Sequence, residues 1–98
     1  MSAYYLTPNA ASGIESIWDF IAEDSVSRAD KVVDDLFRAI QALAEMPGMG
    51  HSREDLADET LLVWPVHSYL IVYRDSQPLE VVHVVSGFRD LFTLFAGE

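Results

Sequence analysis

The sequence predicts an α+β domain, with a helical hairpin packed on a mostly antiparallel sheet. Three observations carry that expectation. Apolar residues recur at helical spacing from Ile14 to Ala44, with one break near Ser25. From Thr60 onward the period shortens, and β-branched and aromatic residues gather in short runs divided by turn residues. A single aromatic-rich run, Ala3 to Leu6, precedes both regions. The expected order is an N-terminal strand, a helical hairpin, a three-stranded antiparallel meander and a short C-terminal helix.

Each element has a local reason. Ala3 to Leu6 suits a strand, and Thr7-Pro8 ends it with a helix start. Proline lacks the N–H that a first helical turn cannot satisfy anyway. Ile14, Ile17, Trp18 and Ile21 then form an apolar stripe, and Trp18 is expected in the core. A second helix starts near Ser25 or Ser27, whose hydroxyls can accept from free N–H groups. Its stripe is Ala29, Val32, Val33, Leu36, Phe37, Ile40, Leu43 and Ala44, and Met46-Pro47-Gly48 stops it. Residues 50–59 are polar and acidic and read as a loop. Thr60 to Val66 and Tyr69 to Arg74 read as strands joined tightly at His67-Ser68, with Pro65 marking a sheet edge or strand end. Glu80 to Ser86 is a third strand after the turn at Pro78. Gly87 breaks it, and Phe88 to Phe95 reads as the closing helix.

With 98 residues, one domain over residues 1–98 is expected. There is no cysteine, so disulfides, thiolate metal sites and thiol nucleophiles are excluded together. No run approaches the ~20 apolar residues of a membrane span. The start, Met1 to Leu6, has no basic residue before its apolar run and meets Pro8 too early for a signal peptide. The expectation is an unexported, cytoplasmic protein without a membrane partner. Sixteen acidic residues against six basic ones give a net charge of −10, which argues against direct DNA binding through phosphates. Those carboxylates either keep the surface solvated or meet a basic partner.

Few residues have the chemistry of a site. His83 lies mid-strand among valines, as a satisfied strand histidine or a proton shuttle near neutral pH. His51 and His67 have no metal-site spacing, so no metal and no cofactor is expected. Gly48-Met49-Gly50 lacks the Gly-Lys-Ser/Thr ending of a phosphate loop and reads as a turn. Trp64, just before Pro65, is either core or an anchor for a partner.

Four segments, in order and covering nearly the whole chain, resemble the RelE/ParE superfamily of toxins. Thr7-Pro8-Asn9-Ala10-Ala11 followed by Ile14, Ile17 and Trp18 resembles its opening strand-to-helix segment. Leu43 to Gly50 is similar to its "L-x-x-x-P-x-x-G" helix end, and Tyr69 to Arg74 to its "Y-x-I-x-Y-R" strand. Val81 to Arg89 resembles the "V-x-R-V-x-H-G-x-R" segment of ParE-like members, with His83 where arginine is usual and Ser86 where histidine is usual.

The resemblance implies the toxin of a type II toxin–antitoxin system. ParE-like members poison DNA gyrase by binding, whereas RelE-like members cut messenger RNA on the ribosome. Cleavage needs a base, a cation for the phosphate and an acid for the leaving oxygen. Arg74, His83 and Arg89 are the candidates for such a set. However, no lysine follows Lys31, and Leu91 to Phe95 offers no His or Tyr. The ParE-like, non-catalytic reading is therefore the expectation, with Arg74, Arg89 and Trp64 as candidate target contacts. Both arginines have a structural alternative, as partners of nearby carboxylates. The other readings are a RelE-like endoribonuclease and a degenerate member that only binds antitoxin. The resemblance also implies a ParD-like antitoxin in a hetero-oligomer, its tail folding upon the toxin. Leu36, Phe37, Ile40, Leu91, Phe92 and Phe95 are its candidate contacts.

Overall fold

The computed structural model describes residues 3–52, 58 and 60–87. Thr7 fixes the first turn of the chain in three ways. Its backbone N–H donates to Val81 O at 3.0 Å, which ends strand β1 (Tyr4–Leu6) against the sheet. Its hydroxyl oxygen accepts from Ala10 N at 3.1 Å, capping helix α1 (Pro8–Ala22). The same hydroxyl donates to Val82 O at 2.7 Å. Val82 is the extra residue of a β-bulge, because Val72 pairs with His83 and Tyr73 with Val81. One side chain thus joins strand end, helix start and bulge.

Helix α2 (Val26–Glu45) starts at Ser25 rather than Ser27, since Ser25 Oγ accepts from Arg28 N at 3.2 Å. It stops as expected before a single 3-10 turn at Pro47–Met49. Strands β3 (Leu61–Val66) and β4 (Tyr69–Arg74) meet at His67-Ser68, and β5 (Leu79–Val85) completes the meander. It begins one residue earlier than the sequence suggests, where Leu79 N donates to Ala3 O at 3.0 Å.

The sheet has five strands in the order β1-β5-β4-β3-β2. β1 lies parallel to β5, and the remaining pairs are antiparallel. The extra strand, β2 (His51–Ser52), falls where the sequence reads as loop. Two exposed polar residues carry no strand signal; only pairing with Leu62 and Val63 makes them one. β2 stops short of Pro65, so the proline's missing donor still faces no strand on that side. The predicted closing helix, Phe88 to Phe95, lies outside the described residues.

The helices cover one face of the sheet. Ile14, Ile17, Leu36, Ile40 and Leu43 meet Ile71, Tyr73, Leu79, Val81 and Val84 in a continuous core. α1 lies so close to β5 at Gly13 that an added Cβ would stand 2.3 Å from Val84 O. Alternation along the strands sends Leu61, Val63, Leu70 and Val72 to the other face, where they form a second buried cluster. Trp18 departs from expectation. It is half-buried at the seam of the two helices, with its indole N–H donating to Asp30 Oδ1 at 2.8 Å. Its stripe position fixed the direction of the ring, but the polar N–H needs a partner and finds it at the surface.

Tyr73 closes the fold between distant segments. It is fully buried, yet its hydroxyl donates to Pro47 O at 2.6 Å and accepts from Gly50 N at 2.9 Å. The helix-ending Pro-x-x-Gly segment is therefore held by the tyrosine of β4. Gly50 must be small, because an added Cβ would stand 2.1 Å from that hydroxyl.

Candidate functional site

Strand alternation puts two of the candidate residues, Arg74 and His83, on the face opposite the helices. Arg74 and Glu80 are register partners on β4 and β5, and Tyr5 lies beside Glu80 from β1. Asp58 and Thr60, just before β3, complete a polar group around the guanidinium. Arg74 Nη2 donates to Asp58 Oδ2, Nη1 to Glu80 Oε1 at 3.3 Å and Nε to Thr60 Oγ1 at 3.0 Å. Asp58 Oδ1 in turn accepts from Thr60 N at 2.9 Å and Thr60 Oγ1 at 2.6 Å.

These contacts shape the electrostatics. Hydrogen bonds from the Thr60 hydroxyl and backbone N–H, and then from Arg74, hold the Asp58 carboxyl down at about 2. The hydrogen bond to Asp58 raises Arg74 further above its ordinary value, so it stays a cation. Desolvation, then the charge of Glu80, raises the Tyr5 phenol. One cation between two carboxylates leaves the group net negative. A phosphate approaching Arg74 would meet the charge of both carboxylates beside it, so the group suits a structural clamp better than an anion grip.

His83 sits on the same face opposite Val72, and burial alone lowers its pKa, which keeps the ring neutral at pH 7. Trp64 is half-buried against the helix-side core, and its ring stacks on exposed His51 with centroids 6.1 Å apart. Arg89, Leu91, Phe92 and Phe95 lie outside the described residues. Leu36 and Ile40 are fully buried beneath the sheet and offer no surface to a partner, while Phe37 keeps part of its ring accessible. The stripe that marks a helix's inward face cannot also mark its binding face. No group of three or more metal-ligating side chains occurs among the described residues, and none of their helices is long and apolar enough to cross a membrane.

Two features escaped sequence reasoning. His67 adopts φ 55°, in the left-handed region, and its Nε2 meets Asp35 Oδ2 at 2.8 Å. The two-residue spacing between β3 and β4 was the available signal, because such turns demand positive φ. Phe20 is 72% exposed. It lies off the Ile14-Ile17-Ile21 stripe, and that mismatch of a large ring with the helical period was the signal.

Comparison with known proteins is consistent with this geometry. Residues 4–91 match the family described as the ParE toxin of the type II toxin–antitoxin system parDE. No curated protein matches the chain in sequence. Among solved structures, one titled "Chromosomal ParDE TA system from P. aeruginosa" is similar, with a TM-score of 0.72 at 15% identity. The alignment covers 90% of this chain and 98% of that one, and at this identity it speaks for the fold. The family match spans the sheet, the helical hairpin and the Arg74 group alike, and the chain belongs to the ParE toxin family of type II toxin–antitoxin systems.

Proposed function

We propose that this chain is a toxin that acts by binding rather than by cutting, with DNA gyrase as its target and a ParD-like antitoxin as its neutralising partner. The observation that supports binding over cleavage is the state of Arg74. The cation that a nuclease would turn on a phosphate is taken up by Asp58, Glu80 and Thr60. His83, neutral from burial, supplies no second cation beside it at pH 7. The net charge of −10 adds repulsion against any polyanion, RNA or DNA. The half-buried Trp64, stacked on His51 at the β2–β3 side of the sheet, is the better candidate for a target contact.

The membership of the ParE family and the likeness to a ParDE structure support an antitoxin partner in a hetero-oligomer. The test is gyrase supercoiling and DNA cleavage in the presence of the purified protein. Loss of supercoiling with trapped cleaved DNA, reversed by antitoxin, is the expected result. Unimpaired gyrase together with transcript cleavage on translating ribosomes would overturn the reading in favour of a nuclease. Unimpaired gyrase and intact transcripts would leave a member that only binds antitoxin.

A further inference from the structure

The turn between the two helices carries two exposed apolar side chains. Phe20 and Val26, at its two ends, are 72% and 54% exposed. Beside them a cleft of about 260 Å³ runs between the helix turn and the β3–β4 hairpin, lined by Phe20, Ile21, Val32 and Tyr69 with Asp24 and Arg28. That volume is below the ~300–1,000 Å³ usual for small-molecule sites and suits one large side chain. The wall formed by His67 is fixed, since its ring is bonded to Asp35 on α2.

Asp24 and Arg28 both line the cleft, while the residues flanking Phe20 in the chain are mostly acidic. Asp19 precedes Phe20 directly, and Glu23 and Asp24 follow it at i+3 and i+4, just past the end of α1. None of the three is in an ion pair among the described residues, whose ion pairs engage Asp34, Asp35, Asp58 and Glu80. Glu23 and Asp24 also stand at the C-terminal end of α1, whose last turn holds no basic residue, where the helix dipole disfavours negative charge. Both carboxylates work against the helix that they follow.

From the exposed ring, the side-chain-sized cleft and the unpaired carboxylates together, we infer that this surface docks a partner polypeptide segment carrying one bulky apolar side chain flanked by Lys or Arg. The apolar side chain enters between Phe20, Val32 and Tyr69, and the cations lie over Asp19, Glu23 and Asp24. Asp24 and Arg28 line the cleft together and offset each other there, so the inserted group is uncharged. The inference rests on the reading of this chain as the partner of an antitoxin polypeptide, and it gives that antitoxin a basic, apolar anchor.

The test uses three labelled 12-residue peptides, one with a central Trp between lysines, one with Trp between glutamates, and one with Ala between lysines. Fluorescence polarisation against the intact protein should show the Lys–Trp peptide binding about tenfold or more tighter than either other peptide. Phe20→Ala, at an exposed position that leaves the core untouched, should erase the advantage of Trp over Ala. Amide shifts should centre on residues 20–26 and 67–69. Equal or tighter binding of the Glu–Trp peptide would overturn the inference, as would a Trp advantage that survives Phe20→Ala. Peptide binding in solution is read without gyrase or cells, so its failure is distinct from a failure of the gyrase assay.

Discussion

Replacing Gly50 with alanine tests the joint between Tyr73 and the end of α2. An added Cβ would stand 2.1 Å from the Tyr73 hydroxyl and 2.7 Å from its Cε1, where ordinary contact begins near 3.4 Å. Tyr73 is buried on all sides and cannot swing away without opening the core. Overpacking of this kind costs about 1–3 kcal/mol. Moving the hydroxyl off Pro47 O and Gly50 N leaves buried polar groups unsatisfied, at about 1–3 kcal/mol more. A loss of about 2–6 kcal/mol is expected, a large share of the ~5–15 kcal/mol that holds a domain folded. At roughly 4–8 °C per kcal/mol, the melting temperature should fall by ~8 °C or more. Gly48→Ala is the matched control, because nothing lies within 4 Å of its added Cβ. It should shift stability by less than ~1 kcal/mol. Tyr73→Phe alone should cost about 1–3 kcal/mol. In that background the Gly50→Ala penalty should shrink by ~1 kcal/mol, since the nearest atom is gone. A Gly50→Ala melt matching that of Gly48→Ala, or penalties that simply add, would refute the steric joint.

Gly13→Ala should destabilise by about 1–3 kcal/mol in denaturant unfolding, because its Cβ meets backbone, Val84 O at 2.3 Å, which cannot rotate away; a neutral effect would contradict the close approach of α1 to β5. Asp58 has a folded pKa of about 2, below the unfolded value of 3.8, so its contribution is complete above that value. It is lost as pH falls through that window. Asp58→Asn should therefore flatten the acid limb of a pH–stability profile, and an unchanged slope between pH 4 and 2 would count against the clamp. At His67, φ 55° admits glycine and strains a β-branched residue, so His67→Val should lose about 1–3 kcal/mol and His67→Gly less. Equal melting curves for the two variants would show that the turn relaxes.

Legibility in the sequence followed the range of the interactions. Thr7-Pro8, Ser25 and Met46-Pro47-Gly48 act within one turn of chain, and each marks the helix end it was expected to mark. β3, β4 and β5 were legible because β-branched and aromatic residues persist over six or seven positions. β2 was not, since His51 and Ser52 are strand only through pairing with β3. The resemblance flagged Pro47, Gly50 and Tyr73 as separate motifs, and only the fold shows that one hydroxyl joins them. Arg74 could be placed on a strand from sequence, but its partners come from β5 and the segment before β3, which no local pattern reveals. The helix stripe likewise led to Leu36 and Ile40, whereas exposure falls on Phe20, off the stripe.

The most direct test of a toxin that binds rather than cuts is the Arg74→Ala variant, induced in a bacterial host beside the unaltered chain. The clamp is about one-third exposed at Arg74, and pairs of that kind contribute roughly 0–1 kcal/mol, so the variant should fold. Growth, cell shape and transcript integrity are then followed after induction. Both chains are expected to arrest growth with filamentation, with transcripts intact. A folded Arg74→Ala chain that leaves growth untouched, while the unaltered chain cleaves transcripts, would contradict that expectation.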